Sequence, residues 1–137
     1  MTDCVFCKIR DGQVPSMRVY EDDRTLAIMD INPINSGHCL VISKAHAATL
    51  WDADPVDLQA AIAAAQKVAV ALKTVVKPDG LNMLQANGAA AFQSVPHYHL
   101  HLIPRWNNDG KGFDWKLVPG NREQIMKAGE RLRALLH

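Results

Sequence analysis

The segment Pro96-His97-Tyr98-His99-Leu100-His101-Leu102-Ile103-Pro104 alternates imidazoles with apolar or aromatic side chains at period two and is bounded by prolines. Period two marks a strand, because successive strand side chains point to opposite faces. The pattern predicts a strand over His97–Ile103 with His97, His99 and His101 on one face, roughly 6.6 Å apart, and Tyr98, Leu100 and Leu102 on the other. The apolar face has an ordinary place in a core. The other face does not: three charged imidazoles would repel, and three neutral, buried, unpartnered ones would leave polar groups unsatisfied. The chain must therefore fold so that one face of this strand meets a core and the other meets polar partners or a ligand. Four uses of the imidazole face compete. It is a partly exposed polar surface, a role that Ser, Thr or Lys would fill without coupled titration; a metal site, since imidazole is a common zinc ligand; a nucleophile toward phosphorus or a carbonyl carbon; or a general acid-base group, for which one histidine would suffice.

The remaining pattern predicts short strands at Arg18–Glu21 and Thr25–Asp30, separated by the turn Asp22-Asp23-Arg24, and a third at Gly37–Ser43 after the loop Asn32–Gly37. From Pro55 to about Val76 the period is helical, with Asp54 as N-cap, Pro55 in the first turn and Lys77-Pro78-Asp79-Gly80 as the stop. Leu81–Gln85 reads as a fourth strand, joined to the histidine strand through Ala86-Asn87-Gly88 and an Ala-rich loop. A last helix starts at Asn121, with Gln124 at the capping-box position. Before it, Asn107–Gly120 reads as an ordered loop near Trp106 and holding Phe113 and Trp115. Only the Pro55 helix is long enough for a parallel crossover. The expected class is therefore α+β, an antiparallel five-stranded sheet packed with a long helix and a C-terminal helix, as one domain over residues 1–137.

Composition excludes several classes. The 137 residues carry 15 Lys plus Arg against 14 Asp plus Glu, a net charge of +1 with six histidines left out. That gives no basic surplus for non-specific nucleic-acid binding. With 48% apolar and 21% charged residues, the chain fits a globular class and not disorder. The longest apolar run, Ala60–Ala71, is interrupted by Gln66 and Lys67 and falls short of the roughly 20 residues of a bilayer span. Met1–Cys7 has neither a basic n-region nor an apolar h-region, so a cytoplasmic setting without disulfides is expected.

Several segments together resemble one family. His97–Ile103, its lead-in Gln93-Ser94-Val95-Pro96, the loop Asp30-Ile31-Asn32-Pro33 and the strand Gly37-His38-Cys39-Leu40-Val41-Ile42 occur in the order found in the histidine triad nucleotide hydrolases and transferases. The chain looks like a bacterial-type member with a Cys-x-x-Cys segment. The resemblance implies a homodimer with a sheet continuous across two protomers, joined through the long helix and a sheet edge. It implies that His99 attacks the α-phosphate of a nucleotide, forming a nucleotidyl-histidine that water hydrolyses. By the same resemblance His101 and His38 orient the nucleophile and hold phosphoryl oxygens. Asn87, Gln93 and Ser94 supply neutral donors, with Ser94 near the leaving group. Asp30 binds the ribose hydroxyls, and Asn32 belongs to the same nucleotide loop. Phe6, Ile9, Leu26, Ile28 and Ile31 are candidates for the base pocket, although each is also an ordinary core residue. Taken alone, His38 is a strand histidine, Asp30-Ile31-Asn32-Pro33 a turn and Gln93-Ser94 loop polarity. The implied activity is hydrolysis of purine nucleoside phosphoramidates to a nucleoside monophosphate without a catalytic metal. The alternatives are dinucleoside polyphosphate hydrolysis and a non-catalytic nucleotide-binding module. A transferase of the uridylyltransferase type is disfavoured, since those relatives carry the fold twice. One departure stands out: Phe92, after Ala89-Ala90-Ala91, sits where the family pattern often has glycine.

Cys4 and Cys7 form a Cys-x-x-Cys pair, which alone reads equally as reduced thiols or half a metal site. A redox role is disfavoured because the pair does not follow a strand at a helix start. Zinc-bearing subgroups of the family use two Cys, a distal His and the first triad His, which by resemblance are Cys4, Cys7, His46 and His97. Such a closed set is structural. Cys39 is expected to be a small buried apolar residue, and His137 to be solvated or disordered. Five of the six histidines thus concentrate in two short segments, so nucleotide binding should depend weakly on salt and strongly on pH.

Overall fold

A computed structural model of the chain describes residues 3–112 and 115–136; Phe113 and His137 lie outside the described residues. The elements are α1 (Val5–Arg10), β1 (Arg18–Glu21), β2 (Thr25–Met29), β3 (Cys39–Ser43), α2 (Pro55–Val75), β4 (Gly80–Leu84), a 3-10 turn (Ala89–Ala91), β5 (His99–Arg105) and α3 (Arg122–Leu136). The five strands form one sheet in the order β1-β2-β3-β5-β4, with every neighbouring pair antiparallel. The α+β architecture with an antiparallel five-stranded sheet is as the sequence predicts. Strand limits differ by one or two residues, the usual spread at element ends. One difference has consequences. β5 begins at His99, because the backbone N–H groups of His97 and Tyr98 donate to Val95 and Ala47 and not to a neighbouring strand.

Register explains why β2 and β3 are buried and largely apolar on both sides while β5 carries imidazoles on one face. Ile42 lies opposite His99 and Leu40 opposite His101, while Val41 and Cys39 face Leu100 and Leu102. One sheet face therefore gathers Ala27, Cys39, Val41, Tyr98, Leu100 and Leu102 under α2, which contributes Ala61, Ala64, Ala65, Val68 and Leu72. The small alanines let the helix sit close to the strands. Asp54 caps α2 by accepting from Val56 N–H at 2.8 Å, as expected. By length and composition α2 is apolar enough to cross a membrane, yet here that apolar stripe is packed on the sheet.

The opposite face gathers Leu26, Ile28, Leu40 and Ile42 with Phe6 and Ile9 of α1. Helix α1 escapes a periodicity reading because six residues are fewer than two turns. Cys4 is its N-cap, and the Cys4 Sγ accepts from Cys7 N–H at 3.4 Å. Gly37 has φ +87°, and a Cβ there would meet Leu72 and Pro104 side chains at 3.2 Å, so the loop before β3 can seat against α2 only with glycine. Helix α3 is capped by Asn121, whose Oδ1 accepts from Gln124 N–H at 3.0 Å. It buries none of its residues, leaving Ile125, Met126, Leu132, Leu135 and Leu136 exposed.

Candidate functional site

On the α1 face of the sheet, β5 projects His99 and His101 while β3 is preceded by His38. The three rings form one polar row, His38 and His99 buried and His101 half-buried: the His99 and His101 centroids are 4.9 Å apart and those of His38 and His101 5.2 Å. Hydrogen-bond geometry determines their tautomers. The His97 carbonyl lies 2.7 Å from His99 Nδ1, so Nδ1 carries the proton and donates, and Nε2 keeps its lone pair. Ile34 N–H donates to His38 Nδ1 at 3.0 Å, so the proton of that ring is on Nε2. His38 Nε2–H then points at His101 Nδ1, 3.0 Å away, and at Asp30 Oδ2, 3.3 Å away. With Nδ1 accepting, His101 bears its proton on Nε2. Among the described residues, the row thus leaves a lone pair on His99 Nε2 and an N–H on His101 Nε2 without a hydrogen-bond partner.

Electrostatics agree with neutral rings. Burial lowers the pKa of His38 and His99, against the opposing pull of Asp30 and, for His99, of its bond to the His97 carbonyl. His101 falls to about 4, chiefly through burial and then through its neighbours His99 and His38. Asp30 follows β2, its Oδ1 accepting from Asn32 N–H at 2.8 Å, which aims the loop beside the histidines.

Against this row lies a cavity of about 340 Å³, walled by Val5, Phe6, Ile9, Ile28, Leu40 and Ile31 and edged by Asp30, Asn32, Ser94, His99 and His101. Most of the expected site residues therefore converge. Leu26 does not line this cavity; it is part of the adjoining core. Asn87 and Gln93 do not line it either. Asn87 accepts from Leu50 N–H at 2.6 Å and exchanges hydrogen bonds with the Gln85 side chain. Gln93 accepts from Gly88 N–H and donates to the Ala48 and Val95 carbonyls. Both side chains are spent on shaping the loop that presents Ser94. Phe92 adopts the left-handed conformation that glycine would favour, with φ +64°, and its side chain is 90% exposed. Sequence reasoning missed Val5, Val14 and Leu40 as wall residues, since an apolar residue carries no signal that separates a pocket wall from a core.

A second cluster adjoins the first. Cys4, Cys7, His46 and His97 bring their Sγ and Nδ1 atoms within 4.8 Å of one another. His97 is fully buried, and its Nε2–H donates to the Ser43 carbonyl at 2.6 Å, turning the Nδ1 lone pair into the cluster. From Nδ1 it is 3.1 Å to Cys4 Sγ, 3.6 Å to Cys7 Sγ and 3.1 Å to His46 Nδ1. A tetrahedral zinc with ordinary Zn–S and Zn–N bonds has donor separations of roughly 3.3–3.8 Å, so the donor types and spacing fit that ion with little adjustment. Burial raises the Cys7 pKa, a cost that a bound cation would reverse. The His97–His99–His101 alternation thus splits between two sites: His97 to the thiols, the other two to the cavity. Cys39 is buried under α2 as expected.

Fold and site together define an α+β protein with a largely apolar pocket edged by histidines on the sheet face away from its long helix. Residues 11–108 match the HIT domain, and the chain belongs to the HIT family. Among its relatives an adenosine 5'-monophosphoramidase of Schizosaccharomyces pombe is 37% identical over 130 residues, covering 94% of this chain and 95% of that protein. A HIT family structure from Bacillus subtilis superposes with a TM-score of 0.90 at 38% identity, covering 97% of this chain and 96% of that one. A zinc-bound histidine triad family protein from Mycobacterium smegmatis superposes with a TM-score of 0.77 at 37% identity, covering 98% of both chains. The family includes nucleotide-binding proteins and nucleotide hydrolases.

Proposed function

We propose that the chain hydrolyses purine nucleoside phosphoramidates to a nucleoside monophosphate through a covalent adduct on His99. The observation that carries this reading is the His99 Nδ1–H bond to the His97 carbonyl, which leaves Nε2 unprotonated at the edge of a cavity of nucleoside size. The base occupies the apolar wall of Phe6, Ile9 and Ile28; the ribose hydroxyls bond to Asp30. His99 Nε2 attacks the α-phosphorus and the P–N bond breaks. The departing amine takes a proton from water relayed through the Ser94 hydroxyl. The charge that develops on the imidazole is stabilised through Nδ1–H by the His97 carbonyl, and His101 Nε2–H donates to a phosphoryl oxygen. Water then attacks phosphorus and the bond to His99 breaks, restoring neutral imidazole; the proton that this water gives up returns to the hydroxide left by the first step, so that one water in sum is consumed per P–N bond broken. Asn87 and Gln93 serve by holding the Ser94 loop. The name of the fission-yeast relative supports the phosphoramidate class.

Cys4, Cys7, His46 and His97 would hold zinc; four protein ligands leave no open position, so the ion's chemistry there is structural. The working unit is a homodimer. Supporting this, β4 is a sheet edge whose Leu81 and Met83 line an apolar groove with Ile62 and Ala69 of α2, and α3 is uncovered. Sedimentation reporting a monomer at micromolar concentration would remove that part.

The test is to incubate the chain with phosphorus-labelled adenosine phosphoramidate and quench early. A labelled adduct lost in His99→Ala supports the mechanism; unchanged turnover in that variant refutes it. Dinucleoside polyphosphate assayed alongside separates the substrate classes, and turnover of the dinucleotide alone would overturn the phosphoramidate assignment.

A further inference from the structure

The Cys/His cluster and the nucleotide pocket share helix α1, and they share His97. Helix α1 has six residues, far below the roughly 12–15 at which an isolated helix becomes even marginal in water, so tertiary contacts must hold it. On one side those contacts are the cluster: Cys4 caps the helix, Cys7 lies inside it, and both thiols meet His97 Nδ1. On the other side α1 is a wall of the pocket. Phe6, one residue before Cys7, places its ring edge-on to His97 and His99, with centroids 5.8 and 5.0 Å away. Ile9 continues the same wall. His97 joins the two sites a second time: its side chain belongs to the cluster, while its carbonyl accepts the His99 Nδ1–H. Beyond the cluster, α1 packs Phe6 and Ile9 on Leu26, Ile28, Leu40 and Ile42, and its C-terminal end is tied by Arg10 Nη1, which donates to the Lys44 carbonyl at 2.7 Å, and by Arg18 Nη2, which donates to the Ile9 and Arg10 carbonyls; the cluster is what holds its N-terminal turn. Among the described residues His46 makes its side-chain bonds to Cys7 and His97, and it does not line the nucleotide cavity.

We propose that the Cys4/Cys7/His46/His97 cluster is a staple that closes the nucleotide pocket: occupancy by a divalent cation such as zinc sets the fraction of molecules in which α1 is seated, and through it the affinity for the nucleotide. This deepens the nucleotide reading of the pocket and rests on it. His46 is then a positioning residue that acts through α1 without touching the ligand. When the seated state holds a tenth of the population, apparent affinity falls about tenfold.

The experiment measures AMP binding to the full chain by calorimetry, zinc-loaded and after chelation, and repeats it for His46→Ala and His46→Cys, with amide exchange followed over residues 5–10. Chelated wild type and His46→Ala are expected to bind AMP at least tenfold more weakly, with a matching rise in KM that exceeds any fall in kcat, and with faster exchange in α1. His46→Cys, which returns a fourth zinc ligand, is expected to restore affinity and protection. Equal AMP affinity with and without zinc overturns the proposal, as does weakened affinity with unchanged α1 protection, or a failure to retain zinc at the four residues. Where chelation or His46→Ala unfolds the chain, zinc-loaded Phe6→Leu keeps the staple and trims the wall; it must weaken AMP binding several-fold, and unaltered binding overturns the proposal. If zinc-loaded wild type binds no AMP at millimolar concentration, the nucleotide reading itself is at fault, an outcome distinct from equal binding by both forms.

Discussion

Acid should destabilise this fold between about pH 6.5 and 4, and the share carried by His101 can be isolated. Burial, reinforced by His99 and His38 and opposed by Asp30, brings the His101 ring from its ordinary 6.5 to about 4. In the unfolded chain the same ring titrates near 6.5. Between those values the unfolded state holds a proton that the native state lacks, so the free energy of unfolding falls as pH falls. Native stability is fully present above 6.5 and is lost progressively toward 4. At 1.36 kcal/mol per unit the ceiling is about 3.4 kcal/mol. Because the ring is partly exposed and shares its titration with two neighbours, about 2 kcal/mol is the share to seek. The assay is urea unfolding at pH 7.5 and 4.5 for wild type and His101→Asn. The variant is expected to lose about 2 kcal/mol less than wild type across that interval. Zinc release acts on both proteins, so the difference reports His101 together with its coupling to His38 and His99. Equal losses in the two proteins would refute the reasoning, because they would mean that His101 is not held neutral by its burial.

Leu102 is fully buried between α2 and the sheet, so Leu102→Ala should cost about 3–4 kcal/mol in unfolding free energy; a loss below 1 kcal/mol would mean that the core is not packed there as described. Phe92→Gly should stabilise the chain by about 0.5–1 kcal/mol, because it relieves a left-handed backbone while giving up a side chain that buries little. Thermal unfolding that shows destabilisation would instead reveal a contact for the ring. Asp30→Asn should weaken AMP binding by about tenfold or more and dAMP binding less, since the lost bonds are to ribose hydroxyls; equal losses by titration calorimetry would remove Asp30 from the ribose. AMP affinity should change little between 50 and 300 mM salt, and the effect of imidazole protonation on it should lie below about pH 6, because the phosphate is held by directed donors and by rings that burial keeps neutral at pH 7; a steep salt dependence would count against the pocket chemistry.

Much of this site was legible in the chain. Alternation over Tyr98–Ile103 placed Leu100 and Leu102 in the core and His99 and His101 opposite, since period two survives any packing of the strand. The long helix, its Asp54 cap and the antiparallel pairing followed from equally local signals. The Cys4/Cys7/His46/His97 set came from resemblance, and its convergence is visible only in three dimensions. Helix α1 was missed because six residues carry too little pattern, and its stability comes from partners distant in sequence. Asn87 and Gln93 read as candidates for the phosphate because residue type reports what a side chain can bond, not what it has already bonded.

The sequence by itself therefore determined the secondary structure of the sheet and α2, the two faces of β5 and the chemistry available there. Only the tertiary structure decided which imidazole has a free lone pair, because that depends on the His97 carbonyl and Ile34 N–H, main-chain groups present at every residue and distinguished only by position. It also decided that the three alternating histidines serve two sites. The chain leaves the strand ladder before His99, and His97, still buried, turns its ring toward two cysteines some 90 residues away in sequence. Local periodicity is set by strand geometry, whereas the partner of each side chain is set by which distant segments pack against it.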